Sequence, residues 1–221
     1  MVGEGEGEGE GARDALELAD WRRRIAELYA KIRGLGSDPA AAHALWRETR
    51  EELFRRHPQS PVPPAAREGF RAAHFPYDHA LRFEARLVPA APPSPRLAAA
   101  PIELPVSSGA PRGFERVGWV ELPLPGGTRR LAVYWLAEYA GGLFLPFGDA
   151  TNGRETYAAG RYLIDTAKGA DLGADAGRGM LVIDLNFAFQ PSCAFDPRWA
   201  CPLAPPENRI DLPVRAGERL G

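Results

Sequence analysis

A mainly β, antiparallel domain, either a sandwich or a small barrel, carrying a two-helix N-terminal arm is the α+β fold this sequence predicts. Three observations predict it. Apolar residues at three- and four-residue spacing mark the stretch up to residue 57, alternation of period two begins near residue 80, and 24 glycines and 22 prolines punctuate the chain.

Residues 1–12 alternate Gly and Glu with nothing to bury, which predicts a disordered, self-repelling tail. A helical arm over 13–57 comes next. Leu18, Trp21, Ile25, Leu28 and Ile32 form one amphipathic stripe that Gly34 ends. Asp38 before Pro39 is an N-cap followed by proline at the first helical position; Ala42, Leu45, Trp46, Thr49 and Leu53 continue a second stripe that Pro58 closes. The β domain spans 58–221. Its first part is too rich in proline for helices, with one clean alternation in ALRFEARLV (80–88). GWVELPL and TRRLAVYWLAEY flank Pro125-Gly126-Gly127, a hairpin signal. GLFLPF, GRYLID, MLVIDLNF and RIDLPVR read as further strands, seven to nine in all.

Composition excludes several classes of function. With 27 Lys plus Arg against 29 Asp plus Glu, no basic field argues for nucleic acid or anionic lipid. All but two cations, Lys31 and Lys168, are arginine, a skew expected of a GC-rich bacterial genome. No run of 18 apolar residues predicts a membrane span, and the acidic N-terminus lacks a signal-peptide pattern, so a cytoplasmic protein is expected. The four histidines, His43, His57, His74 and His79, all precede residue 80, which excludes a self-contained Ser-His-Asp or two-His metal site in the rest. Cys193 and Cys201 alone fall short of a structural zinc site; no metal and no cofactor are expected.

Polar residues gather in two stretches. Leu143–Gly173 contains Asp149, Thr151, Asn152, Arg154, Glu155, Tyr157, Arg161 and Tyr162. Asp184–Ile210 opens with Asp184 and Asn186 on one strand face and runs through Cys193, Trp199 and Cys201 to Glu207, Asn208 and Arg209. Glu155, Arg161 and Glu207 read either as an acid, an anion clamp and a base, or as an ion-pair network pinning two connections, with Asn186 and Asn208 satisfying loop backbone. Cys193 and Cys201 read as a nucleophile with its resolving partner, a redox pair, two metal ligands, a disulfide, or two small buried hydrophobes. A cytoplasmic setting disfavours the permanent disulfide. Trp119, Trp135 and Trp199 read first as core, and His74 and His79 make no ligand spacing.

On HFPYD (74–78), the strand after it, LPFGDATNGRETYAAGRY and above all NFAFQPSCAFDPRWACPLAPPENR, the chain resembles the bacterial and archaeal family of unknown function numbered 1684, over roughly residues 55–218. The resemblance singles out Asp149, Glu155, Tyr157, Gly160, Arg161, Tyr162, Asn186, Pro191, Cys193, Cys201, Pro202, Pro205, Glu207 and Asn208. It implies no assigned activity. Family members commonly carry three glycines where this chain has Ala158-Ala159-Gly160.

Three functions from different classes fit these residues. The first is a module binding a small polar or anionic ligand through Tyr157, Arg161, Tyr162, Asn186, Glu207 and Asn208. The second is an enzyme in the same pocket, with Glu155 or Glu207 as general acid or base and Cys193 as nucleophile. The third is a structural protein forming a homodimer through the helical arm and Trp21 and Trp46.

Overall fold

The computed structural model describes residues 4–90, 102–110, 112–137, 139 and 141–221, with side chains from residue 11 onward. Two helices come first, α1 (Glu4–Gly34) and α2 (Pro39–Arg56). The bounds of α1 take in most of the Gly-Glu repeat; the expected tail falls largely on residues outside the described side chains. Ile25, Leu28 and Ile32 are buried, joined by Tyr29, whereas Leu18 stays exposed. From α2, Ala42, Trp46, Leu53 and Phe54 are buried, each large apolar side chain contributing about 2 kcal/mol. The cap is the expected one: the Ala41 amide donates to Asp38 Oδ1 at 3.0 Å, a contact worth about 1 kcal/mol.

Nine strands come next among the described residues: β1 (Arg82–Arg86), β2 (Val88–Pro89), β3 (Ile102–Leu104), β4 (Arg112–Leu124), β5 (Gly127–Leu136), β6 (Leu143–Phe147), β7 (Arg161–Asp165), β8 (Ala174–Asp175) and β9 (Met180–Asp184). Every pairing between them is antiparallel. A large sheet runs β2-β4-β5-β6-β7 with β3 also on β4, and a small one runs β1-β9-β8. The chain crosses between sheets at Leu87, and there β2 lies so close to β4 that a side chain at Gly118 would meet the Val88 carbonyl oxygen at 2.3 Å. The hairpin signalled by Pro125-Gly126-Gly127 is present, and because Leu124 pairs with Gly127 its turn is the two residues Pro125-Gly126.

Strand β5 shows why the layers stack as they do. Leu131 and Val133 point into the core shared with the small sheet, while Ala132 and Tyr134 point into the core shared with the helices; all four have no exposed surface. The large sheet is thus sandwiched between the small sheet and the helical arm. It does not close into a barrel among the described residues. Its β7 edge is covered by a loop, with Tyr162 and Phe189 exchanging both backbone bonds.

Two expected strands are corrected. MLVIDLNF stops at Asp184, whose carboxylate takes the Asn186 amide at 2.9 Å and starts a single 3-10 turn over Leu185–Phe187. Asp184 and Asn186 therefore do not share a strand face. RIDLPVR is an irregular segment running parallel to residues 148–150; it makes two backbone bonds, Ile210 N to Gly148 O and Ala150 N to Leu212 O, and Pro213 has no N–H to extend the ladder. No helix among the described residues is long and apolar enough to cross a membrane.

Candidate functional site

The residues picked out by the sequence separate into scaffold and reactive groups. Arg161 opens β7 and has no exposed surface. Its Nη2 donates to Asp149 Oδ2 and to the Val214 carbonyl, both at 2.8 Å, and its Nη1 to the carbonyls of Ala216 and Glu218. The expected bridges to Glu155 and Glu207 are not made. A guanidinium this deep needs acceptors around it, and a carboxylate with three peptide carbonyls supplies them. Gly160 precedes it with φ +97°, and a side chain there would lie 2.5 Å from the Phe147 carbonyl oxygen. Of positions 158–160, this is the one at which the backbone demands glycine.

The other polar candidates are distributed over the molecule. Asn186, fully buried, brackets Asp78 by accepting from its amide (2.9 Å) and donating to its carbonyl (2.8 Å), and also donates to Asp184 Oδ1. Burial raises the Asp184 carboxyl, opposed by the Asn186 bonds and by the hydroxyl of Tyr77 at 3.0 Å. Asn208 clamps β5 to β6, accepting from the Ala132 amide and donating to the carbonyls of Ala132 and Pro146 at 2.7–2.9 Å. Glu155 makes a surface pair with Arg215, which holds its carboxyl below the usual range. Glu207 accepts from Arg116 Nη1 at 3.0 Å and from the Tyr134 hydroxyl. The Tyr162 hydroxyl donates to the Pro202 carbonyl. These residues therefore serve separate joints of the fold.

Cys193 and Cys201 do come together. Cys193 sits on a one-turn 3-10 helix (Ser192–Ala194), and the chain returns so that its amide donates to Cys201 Sγ at 3.3 Å. Both thiols are free and buried, with 8% and 4% of their surface exposed. Segment 105–107 pins the second one: the Ser107 amide donates to the Cys201 carbonyl at 2.9 Å, and the Cys201 amide donates to Ser107 Oγ at 3.0 Å. The Tyr157 hydroxyl points at Cys193 Sγ, 3.7 Å away. The Cys201 thiol's hydrogen bond is the largest influence on Cys193 and, with the Ser107 and Tyr157 hydroxyls, outweighs burial to bring its pKa down to about 6. The same bond and burial push Cys201 far up. Tyr157, raised to about 12 by burial first and its thiol neighbour second, keeps its proton where Cys193 has lost its own.

Where α1, the ends of β4 to β6 and the turn after β7 meet, a groove of about 420 Å³ opens. Its walls are apolar: Phe114 and Phe144 stack at 5.0 Å, with Leu136 beside them. Arg22, Arg112 and Lys168 bring positive charge to it, and Asp165, 3.1 Å from Lys168 Nζ, is the acid among the described residues of the lining. Ala200 and Pro202, the neighbours of Cys201, close one side. Sequence reasoning missed this groove and Ser107: Arg22 lies on the polar face of a helix, and Ser107 comes after a proline-rich run with no periodicity.

An open antiparallel sheet covered by a smaller sheet on one face and a helical pair on the other, with a buried dithiol beside its edge loop, defines an α+β protein of mainly β character. The chain belongs to the family described as "Protein of unknown function (DUF1684)", whose model matches residues 69–219. It is similar to an uncharacterized protein of Haloarcula marismortui whose solution NMR structure is known, at 26% identity and a TM-score of 0.60, over 83% of this chain and 95% of that one. Among curated proteins none matches.

Proposed function

We propose that the chain is a small-molecule binding protein whose site is the groove at the end of β4 to β6, and that its ligand is a compact anion with an apolar body. The observation that carries this reading is the lining itself, stacked aromatic walls with the cations Arg22 and Lys168 among the described residues beside them. Ligand sites are typically concave, mostly apolar and supplied with few convergent polar groups. An anionic head would meet Arg22 and Lys168 while its apolar part displaces water from Phe114, Phe144 and Leu136. The ligand class is the one the sequence suggested; the residues differ, because both terminal nitrogens of Arg161 and the side-chain amides of Asn186 and Asn208 are engaged within the scaffold. The dimer reading loses its motivation, since Trp46 is fully buried and Trp21 stacks on Phe54 within the chain.

Anilinonaphthalene sulfonate, an anionic aromatic probe, tests the reading. Its fluorescence should rise on binding, octanoate should displace it, and octylamine should not. Arg22→Glu combined with Lys168→Glu should weaken octanoate about tenfold or more without lowering the melting temperature. Equal displacement by octanoate and octylamine, or an unchanged affinity in the double variant, overturns the proposal.

A further inference from the structure

We propose that Cys193 and Cys201 form a dithiol–disulfide couple that reduces a small hydroperoxide, with Cys193 as the attacking thiolate and Cys201 as the thiol that resolves it. Four features of the geometry converge on this assignment. The two cysteines meet in space, the Cys193 amide donating to Cys201 Sγ at 3.3 Å, which sets the resolving sulfur beside the residue that attacks. Cys201 is held in place from three directions, by the Cys193 amide on its sulfur and by Ser107 on its amide and its carbonyl. The Tyr157 hydroxyl stands beside Cys193 as a proton donor for an oxygen leaving group. Ser107, whose Oγ donates to the Trp199 carbonyl at 2.9 Å and accepts from the Cys201 amide at 3.0 Å, is itself exposed, so the pair lies directly beneath the surface.

The size of the oxidant is set by burial. With 8% of its surface exposed, Cys193 is too buried to engage a protein disulfide, which leaves a small oxidant. In the first step the thiolate attacks the terminal oxygen of ROOH; an S–O bond forms, the O–O bond breaks, and the alkoxide leaves with a proton to give ROH. Cys193 is then a sulfenic acid. In the second step Cys201 sulfur attacks Cys193 sulfur, the S–O bond breaks, and hydroxide leaves with the Cys201 proton as water. Two thiols and one hydroperoxide have become one disulfide, one alcohol and one water, with two electrons passing from sulfur to oxygen. The neighbouring groups do not make a metal site: among the described residues no cluster of three or more His, Cys, Asp or Glu is placed to hold an ion.

The test uses the full chain, reduced, desalted and treated with one equivalent of hydrogen peroxide. Intact mass should fall by two hydrogens and both thiols should disappear together. Cys201→Ser and Cys201→Ala should each stop at a sulfenic acid trapped by dimedone on Cys193, and Cys193→Ser should leave Cys201 unmodified. The rate should be half-maximal near pH 6, where an ordinary cysteine has roughly a hundredfold less thiolate. Retention of both thiols in the folded wild type, trapping on Cys201, or equal rates in wild type and Cys193→Ser overturns the proposal. The groove reading stands or falls separately, since anion binding needs neither cysteine.

Discussion

Arg161 shows how a charged side chain becomes structural. Its partner Asp149 is equally shielded from water, and the pair is tied to carbonyls of residues 214–218, so two distant segments share one cation. Breaking a buried pair from one side leaves an uncompensated charge, which costs about 3 to 5 kcal/mol. Arg161→Met should lower the urea unfolding free energy by that amount. Arg161→Met with Asp149→Asn should cost less than the two single changes added together, by about 2 kcal/mol. A single variant within about 1 kcal/mol of wild type contradicts the structural role.

At the scale of elements, the connections carry as much structure as the strands. Asn208 satisfies both backbone groups of Ala132 in the middle of the large sheet and the carbonyl of Pro146 on the next strand. Each orphaned buried group costs about 1 to 3 kcal/mol, so Asn208→Ala should destabilise by several kcal/mol. It should also speed hydrogen exchange at the Ala132 amide; unchanged exchange there with lost stability points to packing instead. The helices, the hairpin and most strands were legible in the sequence because period and punctuation are local signals. RIDLPVR misled because Ile210, Leu212 and Val214 alternate as a strand would while the segment finds only the short parallel partner at 148–150. The thiol pair was legible as a pair, since Cys193 and Cys201 lie in one motif. Arg161's true partner was not: Asp149 and Glu155 look alike in sequence, and only tertiary placement buries one and exposes the other.

At the scale of the whole molecule, the arm is fastened to the sheet by aromatic rings and a buried ion pair. Arg50 meets the buried Glu218 carboxylate while lying over Phe54 at 4.5 Å and Phe189 at 5.0 Å. Beside it His43 is 2% exposed, ringed by Trp46, Tyr77, Phe187 and His74. Burial first, then the charges of His74 and Arg47, pushes His43 down to about 4. The unfolded chain takes up that proton near pH 6.5 and the folded one near 4, so stability is full above 6.5 and falls as pH drops through this window, by roughly 2 to 3 kcal/mol at pH 4.5. Burial lowers His74 as well, adding in the same direction. Urea unfolding of His43→Gln should show a shallower decline between about pH 7.5 and 4.5 than wild type; parallel curves exclude this origin.

Both buried arginines, Arg50 and Arg161, take acceptors from residues 214–218, three carbonyls for Arg161 and the Glu218 carboxylate for Arg50. During synthesis the helices and every strand leave the ribosome before that segment does. A nascent chain can therefore pair Arg161 with Asp149 but still lacks the carboxylate for Arg50 and the backbone carbonyls that complete the shell around Arg161. A chain ending before residue 214 should accordingly be cleaved faster by trypsin than the full chain, and equal digestion rates would show that the apolar contacts of the arm suffice without those acceptors.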